Sequence, residues 1–575
     1  MESPCLSYSM KTKILVTCLL LSGVFSSISM AQCTYPSATE TLSTNKLLAR
    51  LSNSGQFMEF NGEPPLTVND TAYFPLSPGL AYKAGLWMGG IDAAGQLRLA
   101  AEAYGNASTA DYFPGPLGDQ GTAQTELCDH FNRFWRVNRS EIDAHIADFN
   151  DNGEINNTPV NSIYGWPGAG NPYFQALYGF SLPENSKLLA PFVDQNADGI
   201  YDPWAGDYPK VKGDEAVLWF FNDGAPHTAS YGEQLGMEVR ATAYAFDRDI
   251  TELDQTIFYE FSFHYKGDSP LDSFYLGLWM DVDIGCGIDD RIGCNPEKSF
   301  AFAHNGDEYD EDCGGTPGFG TLPLGLLINS LQGPEDELGN ILPMSHFMYL
   351  GQHFEVPQTA SGLPVQATGY YNYLRGRWRD GTPLSLGGGG YDPSAEAHPW
   401  AFDGTDLSGD PGDGWSFPWI DNSIGDRRFL MSYGPISLPI GSNKNLAFCM
   451  TWTEDMQIPV PSMQPLGQIA DITQYYYDSC FEDFITSTQA ERVENAKIHV
   501  FPNPMSTRAR IQVDGNATTI QELQLFHQNG QLVKQYLQLD QTEFDLHSTE
   551  LTPGVYILRI RLSDGQEAVH RVVVQ

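Results

Sequence analysis

The chain has 575 residues and a formal net charge of −41, with 72 Asp and Glu against 31 Lys and Arg. That length exceeds one ordinary core, so two or three domains are expected. The charge repels nucleic acid and anionic lipid, which excludes both as partners, and 57 Gly, 37 Pro and 12% aromatics favour a turn-rich, all-β, multidomain protein with few short helices.

Residues 1–31 read as a secretory signal peptide. Lys11 and Lys13 supply the basic region, 14–25 is the apolar core, and Ser29-Met30-Ala31 places cleavage between Ala31 and Gln32. Met10 is the better start, because the residues before it only delay the basic region. The apolar run is too short to span a bilayer, and no other stretch reaches spanning length, so no transmembrane segment is expected in the mature chain. An N-terminal β-rich region is expected over 32–139, with 84–88 as a buried strand. Gly277-Leu278-Trp279-Met280 repeats Gly85-Leu86-Trp87-Met88, which raises the question of two related β units.

A central β-rich domain is expected over 140–480. It begins with a short helix at 140–149, capped by Ser140 with Asp143 completing a capping box. Residues 238–247, 255–266 and 274–284 alternate as strands and read as neighbours in one antiparallel sheet. The run 387–390 marks a loop, 445–452 a late strand, and 465–478 a helix with Leu466, Ile469, Ile472 and Tyr476 on one face. Residues 481–496 are polar and read as a linker. Seven cysteines follow the signal; Cys286 and Cys294 bracket a short acidic turn and are the expected disulfide, and the odd count leaves at least one thiol free or paired outside the chain.

Two stretches carry calcium-type spacing. Asp194, Asn196 and Asp198 stand at alternate positions before Gly199, with the Ile200 carbonyl and Asp202 next in line. That pattern wraps a hard cation, and Asp207 is placed to reach back. Pro203 and the absence of an acid at the twelfth position exclude an EF-hand. Asp148, Asn150, Asn152, Glu154 and Asn156 repeat the spacing with less charge. The alternative for both is an Asx-rich turn that caps its own backbone. A third group, Asp281, Asp283, Asp289, Asp290, Asp307, Asp310 and Asp312, lacks fixed spacing and reads as loop decoration, with a structural cation as its alternative. The cofactor expected is therefore structural Ca2+. There is no HExxH, GxSxG or P-loop, so no catalytic residue is nominated.

Residues 497–575 alternate as short strands. Ala509, Ile511 and Val513 face one way in 508–513, Leu523 and Leu525 alternate again, Asn529-Gly530 is a hairpin signal, and Pro553-Gly554 precedes a last long strand. A small immunoglobulin-like β-sandwich is expected. Val500-Phe501-Pro502-Asn503-Pro504, then Leu525-Phe526 through Gly530-Gln531-Leu532-Val533, then Leu551-Thr552-Pro553-Gly554-Val555-Tyr556, resemble the type A C-terminal sorting domain of the Bacteroidetes type IX (Por) secretion system. The chain departs from that family in having His527 where Asp is usual and no Lys near its end. The resemblance implies export through the periplasm and delivery to the outer-membrane surface or the medium. The implied partners are the type IX translocon and its sorting machinery. It further implies removal of the tail and replacement by a lipopolysaccharide-type anchor. Residues 194–209 and 281–312 are similar to secreted Bacteroidetes proteins of unknown function. The expectation is a calcium-stabilised structural or binding, adhesin-like passenger; the alternative is a secreted hydrolase acting on polysaccharide or protein.

Overall fold

A computed structural model describes residues 33–574 other than 59–65, 69–77, 105–108, 119–120, 184–187, 249, 314–316, 322–323, 352–355, 387–388, 403–424, 455–462, 482–497, 502–504, 506, 514–518, 528–531, 550, 553 and 564–566. The signal peptide with its Ala31–Gln32 junction, and the linker beyond Phe481, lie outside the described residues. Two large antiparallel sheets dominate. The first has eight strands in the order Thr39–Leu42, Leu47–Ser52, Leu66–Val68, Gly79–Asp92, Leu271–Val282, Arg427–Leu438, His346–Leu350, with Leu97–Ala101 also on Gly79–Asp92. The second has nine, in the order Asp290–Asn295, Phe300–Asn305, Gly325–Gln332, Asn443–Thr453, Thr256–Tyr265, Met237–Ala245, Glu215–Asn222, Phe113–Pro114, with Trp135–Asn138 also on Glu215–Asn222. One continuous core draws on both, including Trp87, Trp279 and Met431 from the first and Trp219, Tyr259, Phe261 and Phe448 from the second. A fold that is mostly strand is the class the alternating pattern predicts.

The repeated tetrapeptides explain how distant segments join. They pair with each other, antiparallel, about a centre at Leu86 and Leu278, so that Trp87 stands opposite Gly277 and Trp279 opposite Gly85. The two indoles stack with centroids 6.1 Å apart and planes 9° from parallel. A Cβ at Gly277 would meet Leu374 Cδ2 at 2.6 Å. Strands from 32–139 and from 140–480 therefore share both sheets, and the expected division at residue 139 has no counterpart. The three long strands expected to be neighbours are also split: Met237–Ala245 pairs Thr256–Tyr265, but Leu271–Val282 lies in the other sheet. Alternation marks a strand without naming its partner.

Tyr259, Phe261, Phe263 and Tyr265 face the shared core, while Phe258 faces the outer side of its sheet. That outer side is covered by helices. Arg139–Asn152 is one, and its capping box uses Asn138 and Glu141 rather than Ser140 and Asp143. The cap lies two residues earlier than the serine suggests, and asparagine serves the same capping chemistry. Met463–Asp478 is another, and Leu466, Ile469, Ile472 and Tyr476 are all buried as the period requires. Phe481 packs against Tyr244, Phe246 and Phe258, so the body extends one residue into the segment read as a linker.

The tail forms a three-stranded sheet, Ile498–Phe501, Arg508–Val513 and Glu543–His547, and a four-stranded one, Leu532–Gln541, Ile520–His527, Gly554–Leu562 and Glu567–Val574. Ala509, Ile511, Val513, Leu523, Leu525, Tyr556, Leu558 and Ile560 fill one core between them. The inward faces are those the alternation assigns.

The expected Cys286–Cys294 disulfide is not formed. Cys286 pairs with Cys313, and Cys33 with Cys128. Cys294 sits within the Asp290–Asn295 strand opposite Ala301, turned into the core, while Cys286 lies on the turn before that strand. Cys294 and Cys449 are buried and belong to neither disulfide, and Cys480, also outside both, is exposed.

Candidate functional site

Where the first sheet ends, three strand termini meet. The Leu271–Val282 strand ends with Asp281 flanked across the ladder by Lys83 on one side and Arg428 on the other. An acid between two bases is the favourable cross-strand order. Just past the strand ends stand Asp283 and Asp426. The carboxylates of Asp281, Asp283 and Asp426 lie within 4.8 Å of one another, the group of three that converges among the described residues. They line a cleft of about 440 Å³ with Tyr82, Tyr104, Ile288, Cys313 and Arg428. Tyr82 and Ile288 are exposed at its rim.

The floor is tightly bonded. Tyr104 donates its hydroxyl hydrogen to Asp281 Oδ2, and Arg428 Nε donates to the Tyr104 oxygen. Arg428 Nε also stands 3.1 Å from Asp281 Oδ1, and its two terminal nitrogens reach the two oxygens of Asp426 at 3.0 and 3.1 Å. The Tyr104 ring has Lys83 Nζ 5.4 Å and Arg428 Cζ 5.6 Å from its centroid, a cation on each count. Burial pushes the Asp281 carboxyl up to about 6 despite Arg428 and Tyr104. Burial, then the charges of Asp281 and Asp426, push Asp283 up to about 7. Arg428 thus compensates Asp281 and Asp426, and Asp283 is the carboxylate left to the cleft. Tyr104, Asp426 and Arg428 carry no signal in the sequence, because strand register alone brings them to Asp281.

The calcium-type stretch at 194–202 is an exposed turn anchored by a buried Tyr201, whose hydroxyl donates to the Ile163 carbonyl at 2.6 Å. Asp194 Oδ2 accepts from Gly199 N at 2.7 Å, Asp198 Oδ1 from Ile200 N at 2.7 Å, and Asn196 Nδ2 donates to Asp198 Oδ2 at 3.0 Å. Asp202 caps the Pro203–Ala205 turn by accepting from Trp204 N. Buried Asp207 does reach back, accepting from Gln195 N and Asp202 N, both at 2.8 Å, and so ties the two ends of the loop. The stretch at 148–156 is arranged differently. Asp148, Asn150 and Asn152 lie in the last turn of Arg139–Asn152, and residues two apart on a helix do not face each other. Asp148 instead accepts from Asn156 N and Asn157 N, and Asn152 from Glu154 N.

Of the sorting-motif residues, Leu551 is half-buried, Gly554 opens the Gly554–Leu562 strand, and Tyr556 is buried with its hydroxyl donating to the Thr552 carbonyl at 2.8 Å. Pro502, Asn503, Pro504 and Gly530 lie outside the described residues.

A β-rich body followed by a small two-sheet module with a core of its own is the layout of an exported passenger with its address at the end. Residues 499–575 match the secretion system C-terminal sorting domain, and the chain is a type IX secretion substrate, delivered to the cell surface or beyond it. The sorting domain implies that the chain meets the type IX secretion machinery. No curated protein matches the chain. Among solved structures it is similar to a polysaccharide lyase, at 10% identity and a TM-score of 0.16, over 67% of this chain and 38% of that one. A likeness that slight carries no argument about chemistry. No helix among the described residues is long and apolar enough to cross a membrane.

Proposed function

We propose that residues 32–496 are an adhesin-like binding passenger and that the carboxylate cleft is where its ligand docks. The observation that carries this is the convergence of three carboxylates beside Tyr82, Tyr104 and Ile288 in an open cleft of about 440 Å³. Acceptor oxygens with an exposed aromatic rim suit a hydroxyl-rich ligand such as a glycan. Calcium held by Asp194, Asn196, Asp198, the Ile200 carbonyl and Asp202 would brace the covering layer. The 148–156 stretch is the weaker calcium candidate, because its first ligands diverge on a helix. The sorting domain is removed after export, and a lipopolysaccharide-type anchor takes its place. The intact mass of protein recovered from cells tests that removal.

The test of the cleft is a binding screen of the secreted protein against immobilised glycans and peptides, with Asp283→Asn beside it. Binding weakened at least tenfold by the substitution is expected; binding that ignores it removes the cleft from the reading. Asp281 and Asp283, two carboxylates within 4.8 Å, also fit the close spacing of a retaining glycosidase, roughly 5 Å. Turnover in the same screen, lost in Asp283→Asn, would replace binding by hydrolysis.

A further inference from the structure

The cleft at the end of the first sheet holds more acceptor oxygens than its own donors satisfy. Asp281 is 2% exposed and lines the cleft, yet its Oδ1 accepts no hydrogen bond. Arg428 Nε stands 3.1 Å from that oxygen but donates its hydrogen to Tyr104, and both terminal nitrogens of Arg428 are turned to Asp426. Among the described residues Asp283 has neither a hydrogen bond nor an ion pair. Its Oδ1 lies over Gly287, 2.1 Å from where a Cβ would stand.

Oxygens of Asp281, Asp283 and Asp426 nevertheless come within 4.8 Å of one another. Ionised carboxylates only accept, so the three cannot satisfy each other. The cations at hand are Arg428 and Lys83, whose Nζ sits 5.4 Å from the centre of the Tyr104 ring. Two cations against three carboxylates leave one charge uncovered, and one buried oxygen stays unbonded. A buried acceptor without a donor points to a missing partner. A hard divalent cation meets both needs at once. Calcium takes about 6–8 oxygens at roughly 2.3–2.6 Å, so oxygens on opposite sides of one ion stand about 5 Å apart, and the three carboxylates fall within that reach. Magnesium demands octahedral geometry and keeps its waters, which suits an irregular set less well. Three protein oxygens also leave positions on the ion open towards the cleft, where paired hydroxyls of a sugar can enter.

We propose that Asp281, Asp283 and Asp426 hold one calcium ion on the floor of the cleft, and that the ligand docks by placing its hydroxyls on that ion. Arg428, bonded to Asp426 through both terminal nitrogens, fixes that carboxylate in position. The proposal rests on the reading of the cleft as the docking site and adds the ion that does the docking. It shares no residue with the 194–202 loop.

The experiment counts calcium bound per chain on the full secreted protein after chelation and titration with CaCl2. Asp283→Asn, Asp426→Asn and Asp198→Asn are measured in parallel. Asp283→Asn and Asp426→Asn are each expected to lose one ion per chain, or to weaken it at least tenfold, while Asp198→Asn leaves that ion in place. The Asp426 side chain is 51% exposed, so Asp426→Asn should melt with the wild type in chelator, and its lost ion is then no folding defect. The immobilised glycans are screened again in EGTA and in CaCl2; binding should vanish in the first and return in the second. Wild-type stoichiometry and affinity in both cleft variants overturns this site, as does a wild type that binds no calcium or loses an ion in Asp198→Asn alone. Glycan binding that Asp283→Asn weakens but EGTA ignores also overturns the ion while leaving the cleft as the docking site. Glycan binding that ignores both removes the cleft reading as well.

Discussion

His346 shows how a single buried side chain writes itself into stability. Burial first, and then the Arg377 guanidinium, push its pKa down to about 4, against an ordinary value of about 6.5. Its Nδ1 meets Ser345 Oγ at 3.0 Å and its ring lies 6.0 Å from that of Tyr275. The folded protein resists a proton that the unfolded chain accepts. Between about pH 6.5 and 4 the unfolded state therefore binds more protons, so stability is full above that window and falls as pH falls through it. A shift of that size corresponds to roughly 3 kcal/mol by the bottom of the window. His346→Gln cannot titrate and should remove this histidine's share of the dependence of melting temperature on pH between 4 and 7, leaving that of buried His304, which is likewise held down to about 4; an unchanged slope would remove His346 as a source. At this scale the sequence is nearly silent. His346 looks like any of the twelve histidines until Gly376 and Tyr275 close over it. The spacing of Asp194, Asn196 and Asp198 is legible because ligands there are neighbours in the chain. Asp281 and Arg428 are not, because the strand ladder makes them neighbours.

Single elements were easier to read than their partners. The apolar face of Met463–Asp478 was visible because a helix repeats its contacts every 3.6 residues, and the four residues it names are buried. Strands gave up their faces but not their sheet. The cysteines failed for a related reason: proximity along the chain suggested Cys286 and Cys294, but Cys294 belongs to a strand whose side chains alternate into the core. The pairing predicts a definite peptide map. Digestion without reductant should join the Cys286 peptide to the Cys313 peptide and leave Cys294 alkylatable only after unfolding. Cys313→Ser opens a loop of sequence separation 27, which should cost about 3 kcal/mol through the unfolded chain's regained freedom. A melt that does not move would mean the turn is held without the bond.

At the scale of the whole molecule, two properties divide along the chain. Residues 32–496 carry almost all of the −41 charge, and the tail is nearly neutral. The cores divide in the same way. Every buried residue of the tail's core falls between Met505 and Val574, and the cores of the body contain nothing beyond Phe481. An address of this kind was legible in the sequence because its blocks are local, whereas the body's architecture depends on pairings such as Gly79–Asp92 with Leu271–Val282. The separation of cores makes a sharp prediction. Ending the chain at residue 496 removes no side chain from the body's cores, so the truncated protein should fold, keep both disulfides and melt within a few degrees of the parent body. Lacking the module that the type IX machinery reads, it should accumulate in the periplasm. Fractionation of cells expressing the two forms decides the matter. Truncated protein that is folded and still reaches the surface or medium would show that the body carries its own export signal. Truncated protein that is unfolded would show that the two cores are not independent.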